Sequence, residues 1–523
     1  MPDNKERAPL TQQALPAIAV FKAINMKRIA QASLAVFALA LIAAQPQDAK
    51  SPQAGVEGTE PKATGGAETP PRTEPGGNSY DPFGPDPGEA TPPPLAPPPK
   101  NEGILDKLRR LGSEVKLNDA DGTLSIEAWS REIGDDDVLA LCALGKLVSL
   151  DIESPISDRA LARLTENKRL ACLSLARTHI TDDAIRIVGK LPMLRSLDLS
   201  RTKITDQGIA YLKGNPSLRE IRIGCTRVGN AGIESLSGNR DLTLLDALGT
   251  RVDDGVLIHV AKLRHLSTLW LNGRISEDAL GAIEGLVELE DFEGPMRVGD
   301  VTLRHLQNMK NMRRIHGDMS RVSDNGLRLI RGLTNLRFLD LETSRITDEG
   351  MRFVGGMRKL KYLSLFDARI TSAGIRDMSN LQELETLNCR ETDIDDGAIE
   401  YIARLKRLVF LNLRGTRVTS KGMKFITSLT ALRFLDLTGT RVDDEGMAAI
   451  AALPSLSNLV ITATKVGNAG IERLVRMPAL RNVNADQTRV TRFSALKLRA
   501  RGVSVSYKRD PLSTREENLV PVP

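Results

Sequence analysis

Residues Leu194–Ser217 read LRSLDLSRTKITDQGIAYLKGNPS, and Leu218–Asp241 repeat the pattern as LREIRIGCTRVGNAGIESLSGNRD. With Leu194 as position 0, Leu197 and Leu199 alternate with polar residues, the period of a half-buried strand. Ile204, Ile209 and Leu212 follow at wider spacing. Thr205 and Asp206 stand between them as a hydroxyl N-cap and a first-turn acid, so a helix starts there. Each unit therefore reads as strand, turn, short helix and return. One such unit cannot bury its own leucines, but a stack of them makes a continuous core.

Units begin at Leu124, Leu147, Leu170, Leu194, Leu218, Leu242, Leu266, Leu289, Met312, Leu336, Leu360, Leu384, Leu408, Leu432, Leu456 and Leu480. The step is 24 residues, shortened to 23 after Leu124, Leu147, Leu266 and Leu289, where the turn loses one residue. The expected fold is an α/β solenoid of about 16 coils, a horseshoe with a parallel concave sheet and short convex helices, spanning 124–505. At the usual strand spacing its sheet would run about 75 Å.

This pattern resembles the leucine-rich repeat family. The recurring Ile-Thr-Asp turn (Ile180–Asp182, Ile204–Asp206, Ile346–Asp348) is similar to the cysteine-containing subclass known from F-box ubiquitin-ligase receptors. That subclass has Cys or Asn where this chain has Thr178, Thr202, Thr226, Thr250, Thr392, Thr416, Thr440, Thr464 and Thr488. A threonine hydroxyl can bond turn backbone instead. Long bacterial secreted proteins of the family are similar in this respect.

The flanking sequence has other characters. Residues 1–25 read as a dispensable extension upstream of Met26. MKRIAQASLAVFALALIAAQ, within 26–45, has the basic start and short apolar run of an export signal or signal anchor. Residues 46–100 hold 15 of the 27 prolines and read as a disordered tether. Residues 101–123 read as an N-terminal cap containing a hairpin, Val503 and Val505 as a last strand, and 506–523 as a tail.

A net charge of +6 over 523 residues gives no reason to expect nucleic acid. Among the cysteines, Cys142 falls in a helix, Cys172 on the sheet face, Cys225 in a turn and Cys389 in the core. No disulfide or zinc site follows from that spacing. The five histidines lie in no HExxH motif, and there is no Gly-rich phosphate loop and no GxSxG. His316 and Asp318 are the one suggestive pair, without a nucleophile. No enzyme activity, cofactor or metal is expected.

Positions 2, 4 and 6 of each coil should face the concave side. The candidate partner-binding residues there are Trp270, Asp291, Glu293, Arg314, His316, Asp318, Phe338, Asp340, Glu342, Tyr362, Phe366, Arg390, Phe410, Arg414 and Phe434. Phe338, Tyr362, Phe410 and Phe434 share one phase and predict a nearly continuous row of rings beside carboxylates and arginines. That is the makeup of a protein-binding hot spot, and an aromatic row also suits a sugar polymer.

A second row, just before the turn Ile or Val, is basic: Lys203, Arg227, Arg251, Arg297, Arg321, Arg345, Arg369, Arg417, Arg441, Lys465 and Arg489. An acidic row follows at Asp206, Asp254, Asp324, Asp348, Asp396 and Asp444. Together they read as an alternating, solvated charge lattice, worth little per pair. The expected molecule is thus an exported, periplasmic or surface-tethered scaffold. Its expected partner is a protein, with an envelope polysaccharide as the second choice and membrane contact only through an uncleaved anchor. An F-box-like adaptor is the alternative that the resemblance implies.

Overall fold

The structure is a computed structural model that describes residues 103–118, 121–271 and 274–507. The extension, export signal, tether and most of the tail lie outside these residues. The chain divides into two compact units at Thr178 and His179.

In the first unit, helix α1 (Ile104–Arg110) precedes β1 (Glu114–Leu117) and β2 (Leu124–Ala128), which pair antiparallel with Val115 opposite Ile126. After α2 (Asp135–Cys142), β3 (Leu147–Ile152) pairs parallel with β2 and with β4 (Cys172–Ser174). The buried Asn167 side chain ties the coils together. It accepts the Leu147 N–H at 2.9 Å and donates to the Cys142 carbonyl at 2.7 Å, satisfying groups that no strand reaches.

The second unit repeats one plan. A short strand such as β5 (Ser196–Asp198) leads through a turn to a helix such as Asp206–Ala210, and the next coil begins. Strands β6 (Glu220–Arg222), β7 (Leu244–Asp246), β8 (Thr268–Trp270), β9 (Asp291–Gly299) and β10 (Arg314–Arg321) continue the parallel sheet. So do β11 (Phe338–Asp340), β12 (Tyr362–Ser364), β13 (Thr386–Asn388), β14 (Phe410–Asn412) and β15 (Phe434–Asp436). β16 (Asn458–Val460), β17 (Asn482–Asn484) and β18 (Ser504–Ser506) end it. Leu339, Leu363, Leu387, Leu411 and Leu435 pair in register and are fully buried, which sends positions 2 and 4 to the opposite face.

Three side-chain devices hold the coils. The first is the turn threonine. All nine threonines of the repeat donate their hydroxyl to the carbonyl three residues back at 2.6 or 2.7 Å, as Thr202 does to Leu199 and Thr416 to Leu413. The residue before them is left-handed, at φ near 55° in Cys225 and Glu391, and glycine takes the position in Gly249, Gly415 and Gly439.

The second device is the first-turn aspartate. Asp324 Oδ1 accepts the Thr347 N–H at 2.8 Å and Oδ2 accepts its hydroxyl at 2.7 Å. Asp182, Asp300, Asp348 and Asp396 do the same for Thr205, Ser323, Thr371 and Thr419. Asp206 and Asp444 instead accept two N–H groups each, from Gly229 and Gly232 and from Gly467 and Gly470. Each carboxylate but Asp444, which lies two residues ahead of its helix, thus sits at its own helix N-terminus, and all bond the cap of the next coil. This corrects the charge-lattice expectation. The acidic row is a set of inter-coil staples, and among the described residues only Arg321 (with Glu277, 3.9 Å) and Arg417 (with Asp393, 2.6 Å) of the basic row form ion pairs.

The third device is glycine 26 residues after each staple. A Cβ at Gly208, Gly232, Gly326, Gly350, Gly374, Gly422 or Gly470 would run into the aspartate oxygen of the previous coil. Where Asn230, Ser372 and Asn468 replace the aspartate, the facing residues are Val256, Ala398 and Ser494, while Ser420 keeps a close glycine in Gly446. Close approach, not left-handed backbone, selects these glycines.

The coil from Leu289 departs from this plan. It keeps no left-handed turn residue, and β9 runs on for nine residues instead of three. Its neighbour β10 follows for eight, with register irregularities around Gly317, whose φ is 133°.

Candidate functional site

The strand face of the second unit carries two blocks of stacked rings. Phe338 and Tyr362 lie 4.3 Å apart at 11°, and Phe410 and Phe434 lie 4.4 Å apart at 5°. Neighbouring parallel strands hold position-2 side chains at the strand spacing, which is also a stacking distance for flat rings. Thr386 sits between the blocks in register with Tyr362 and Phe410, so the row expected from sequence is broken there. His316 extends the first block, its ring 5.9 Å from Phe338 and inclined by 24°. All five rings are half-buried.

At the near end of the first block, Asp291 gathers three partners. Trp270 Nε1–H donates to Oδ1 at 3.1 Å, Arg314 Nε–H donates to Oδ2 at 2.6 Å, and His316 Nε2 lies 3.1 Å from Oδ1. Asp291 itself is 4% exposed, so it anchors the cluster and contacts no solvent-borne partner directly. Burial alone would raise its carboxyl. The contact with His316 and the charge of Arg314 outweigh burial and hold it below the usual range. Glu293 beside it is pushed up, chiefly by burial.

His316 and Asp318 do not form the pair that their spacing suggested. His316 turns to Asp291, while Asp318 lies past the irregularity at Gly317, exposed, accepting the Ser320 N–H at 2.8 Å. Two-residue alternation fails there because the strand bulges.

Farther along, Glu342 accepts from the Ser364 hydroxyl at 2.8 Å and the Asn388 amide at 3.3 Å. Asp340 Oδ1 takes the Glu342 N–H at 3.1 Å, and burial with the charge of Glu342 raises its carboxyl to about 6. Burial also raises the Tyr362 hydroxyl. Asp246 and Asp436, and Asn388, Asn412 and Asn484, make the same bond to the N–H two residues on. Position 4 therefore closes the strand as well as facing outward. Arg390 lies over the Phe366 ring at 4.7 Å, and Arg414 Nε lies 3.9 Å from Glu391.

The rings thus stand partly open, held by neighbours of fixed geometry and flanked by carboxylates and guanidinia. Sequence alternation places positions 2 and 4 opposite the buried leucines, whereas the position-6 residues Glu342, Phe366, Arg390 and Arg414 lie in turns past the strand ends and Asp318 lies past the irregularity. It misses that His316 belongs to the aromatic stack, and that Asp291 and Asp340 are engaged from within.

A sequence-family model described as the leucine-rich repeat matches residues 190–213, 214–237, 332–355 and 428–451, each a 24-residue frame of the coils above. The coils are leucine-rich repeats. A crystal structure of an internalin from Listeria monocytogenes is similar at a TM-score of 0.51 and 19% identity, covering 63% of this chain and 95% of that one. A leucine-rich repeat protein of Leptospira interrogans aligns at a TM-score of 0.47 and 18% identity, over 70% of this chain and 91% of that one. At 19% identity the likeness to the internalin is one of fold. No curated protein sequence matches the chain. Leucine-rich repeats present a wide, pre-formed sheet face, and the fold alone does not choose what lies on it.

Proposed function

We propose that this leucine-rich repeat protein is a non-catalytic, exported scaffold that binds a protein partner on the strand face of its second unit. The observation that carries the proposal is the stack of His316, Phe338 and Tyr362. Large rings held open by packing lose little freedom on binding, and with arginine they dominate protein interfaces. The Asp291 cluster fixes Arg314 and His316 beside them. Phe410 and Phe434 give a second anchor past Thr386.

Export rests on the basic and apolar segment within 26–45, which lies outside the described residues. Sequencing the N-terminus of the mature chain in fractionated cells tests it. A start near Gln45 in an exported fraction supports export, and an intact chain in the cytoplasm refutes it.

The binding face is tested by panning a displayed random peptide library against the full chain. Selected binders should lose the Phe338→Ser/Tyr362→Ser/Phe410→Ser variant while its thermal unfolding shows an intact solenoid. Binders indifferent to all three changes would refute the assignment.

A further inference from the structure

We infer that the basic row is a second, separate binding surface, for a linear acidic polysaccharide carrying one carboxylate per sugar ring. From Lys203 to Arg369 a cation stands just before the turn aliphatic in every coil, with Arg274 filling the coil from Leu266. The backbone there is laid in parallel register. Arg227 N–H bonds the Ile204 carbonyl and Arg251 N–H the Val228 carbonyl, while Arg345 and Arg369 bridge Ser323 and Thr347. The side chains therefore leave one edge at the strand spacing, and these eight coils make a single file about 34 Å long.

The acidic row that sequence placed beside this file does not pair with it. Asp206, Asp324 and Asp348 spend their oxygens on the caps of the next coil and are half-buried. Lys203, Arg227, Arg251, Arg345 and Arg369 are exposed and make no side-chain hydrogen bond or ion pair among the described residues. The file breaks once, at Asp393, which Arg417 neutralises at 2.6 Å. Beyond that step, Arg441, Lys465 and Arg489 resume it, exposed and without an ion pair among the described residues.

The geometry favours a polyuronate over other polyanions. A single file of guanidinia at strand spacing suits a chain whose carboxylates recur once per pyranose ring, and guanidinium meets carboxylate in a two-point bond. Single-stranded nucleic acid needs aromatic platforms beside its cations, and no residue two before or two after these eight cations is aromatic; they are small or polar side chains for the most part, with Asp253 and Asp367 the two acids. A planar anionic membrane touches a broad patch of cations, not a single file.

The test titrates the full chain with polygalacturonate at several salt concentrations. It compares the native chain with Arg227→Gln/Arg251→Gln/Arg345→Gln/Arg369→Gln. A control removes the same charge from the exposed helical side, Arg328→Gln/Arg331→Gln/Arg352→Gln/Arg376→Gln. Thermal unfolding checks both, and the pairs Arg227→Gln/Arg251→Gln and Arg345→Gln/Arg369→Gln stand in if the fourfold variant does not fold. The inference expects native binding that weakens with salt, about a tenfold loss and a shallower salt slope in the ridge variant, and the control within about twofold of native. Absence of native binding, equal loss in the control, or tighter ridge-dependent binding of single-stranded DNA or anionic vesicles would each overturn it. The concave Phe338→Ser/Tyr362→Ser/Phe410→Ser variant should bind polygalacturonate as the native chain does, which separates this surface from the one above.

Discussion

Asp324 and Thr347 are joined across one coil boundary by two hydrogen bonds, Oδ1 to the backbone N–H at 2.8 Å and Oδ2 to the hydroxyl at 2.7 Å. The pair caps one helix while crowning another, so a single carboxylate serves both the local start of a helix and the stacking of coils. Asp135, Asp182, Asp254, Asp300, Asp348 and Asp396 repeat the device, and an α/β coil with a helix of only four to eight residues needs it, because such helices are marginal alone.

Asp324→Ala should destabilise the solenoid by about 1–3 kcal/mol, since it strips acceptors from two partly buried donors. Urea unfolding measures the loss. Hydrogen exchange at the Thr347 amide should accelerate first, because repeat arrays open locally.

Gly350→Ala should also destabilise, because its Cβ would run into Asp324 Oδ1. In an Asp324→Ala background only the Leu327 side chain remains close, at 3.0 Å, and the same change should cost clearly less or turn neutral as helix propensity offsets it. A double-mutant cycle by urea unfolding reads this difference as coupling.

Ala368 occupies the turn position that threonine fills in nine other coils, and its N–H reaches the Leu365 carbonyl at 3.0 Å. Ala368→Thr should add the missing hydroxyl bond to Leu365 and raise stability by about 0.5–1 kcal/mol. Thermal unfolding at matched concentration reads the gain.

Asp340 has a folded-state pKa raised to about 6, from an ordinary value of 3.8. A raised carboxyl binds its proton more tightly when folded. Its stabilising contribution is complete below the unfolded pKa and is lost as pH rises through about 6. Asn388 and Asn412 make the same turn bond in their own coils, so Asn fits the position. Asp340→Asn should therefore stabilise the protein near pH 7.5 and change little near pH 4. Unfolding curves at the two pH values check it, and an equal effect at both would contradict the burial argument.

The architecture was legible because one period governs both strand and helix. Leu194, Leu197, Leu199, Ile204, Ile209 and Leu212 suffice to place the core. The strand face was legible for the same reason, since Phe338 and Tyr362 share a phase and parallel strands keep phase. What stayed hidden is contact between coils. Arg321 and Asp324 look like an opposite-charge pair in a linear reading, yet the groups that Asp324 meets are 23 and 26 residues on, in Thr347 and Gly350. The signal was present, because each of those aspartates is answered by glycine at that distance, whereas of the replacements Asn230, Ser372, Ser420 and Asn468 only Ser420 is. Asp318 was misread because alternation ends at Gly317, where the strand is irregular and spacing no longer reports direction.

The central claim, that the strand face of the second unit receives a protein, is tested most directly by photocrosslinking in living cells. A photoreactive benzophenone side chain replaces Thr386, the gap between the two ring blocks, or Val287, an exposed residue outside that face. The account predicts a discrete protein adduct from position 386 that disappears with Phe338→Ser/Tyr362→Ser/Phe410→Ser, and none from position 287. Adducts from position 287 alone, or an adduct at 386 indifferent to the three rings, would contradict it.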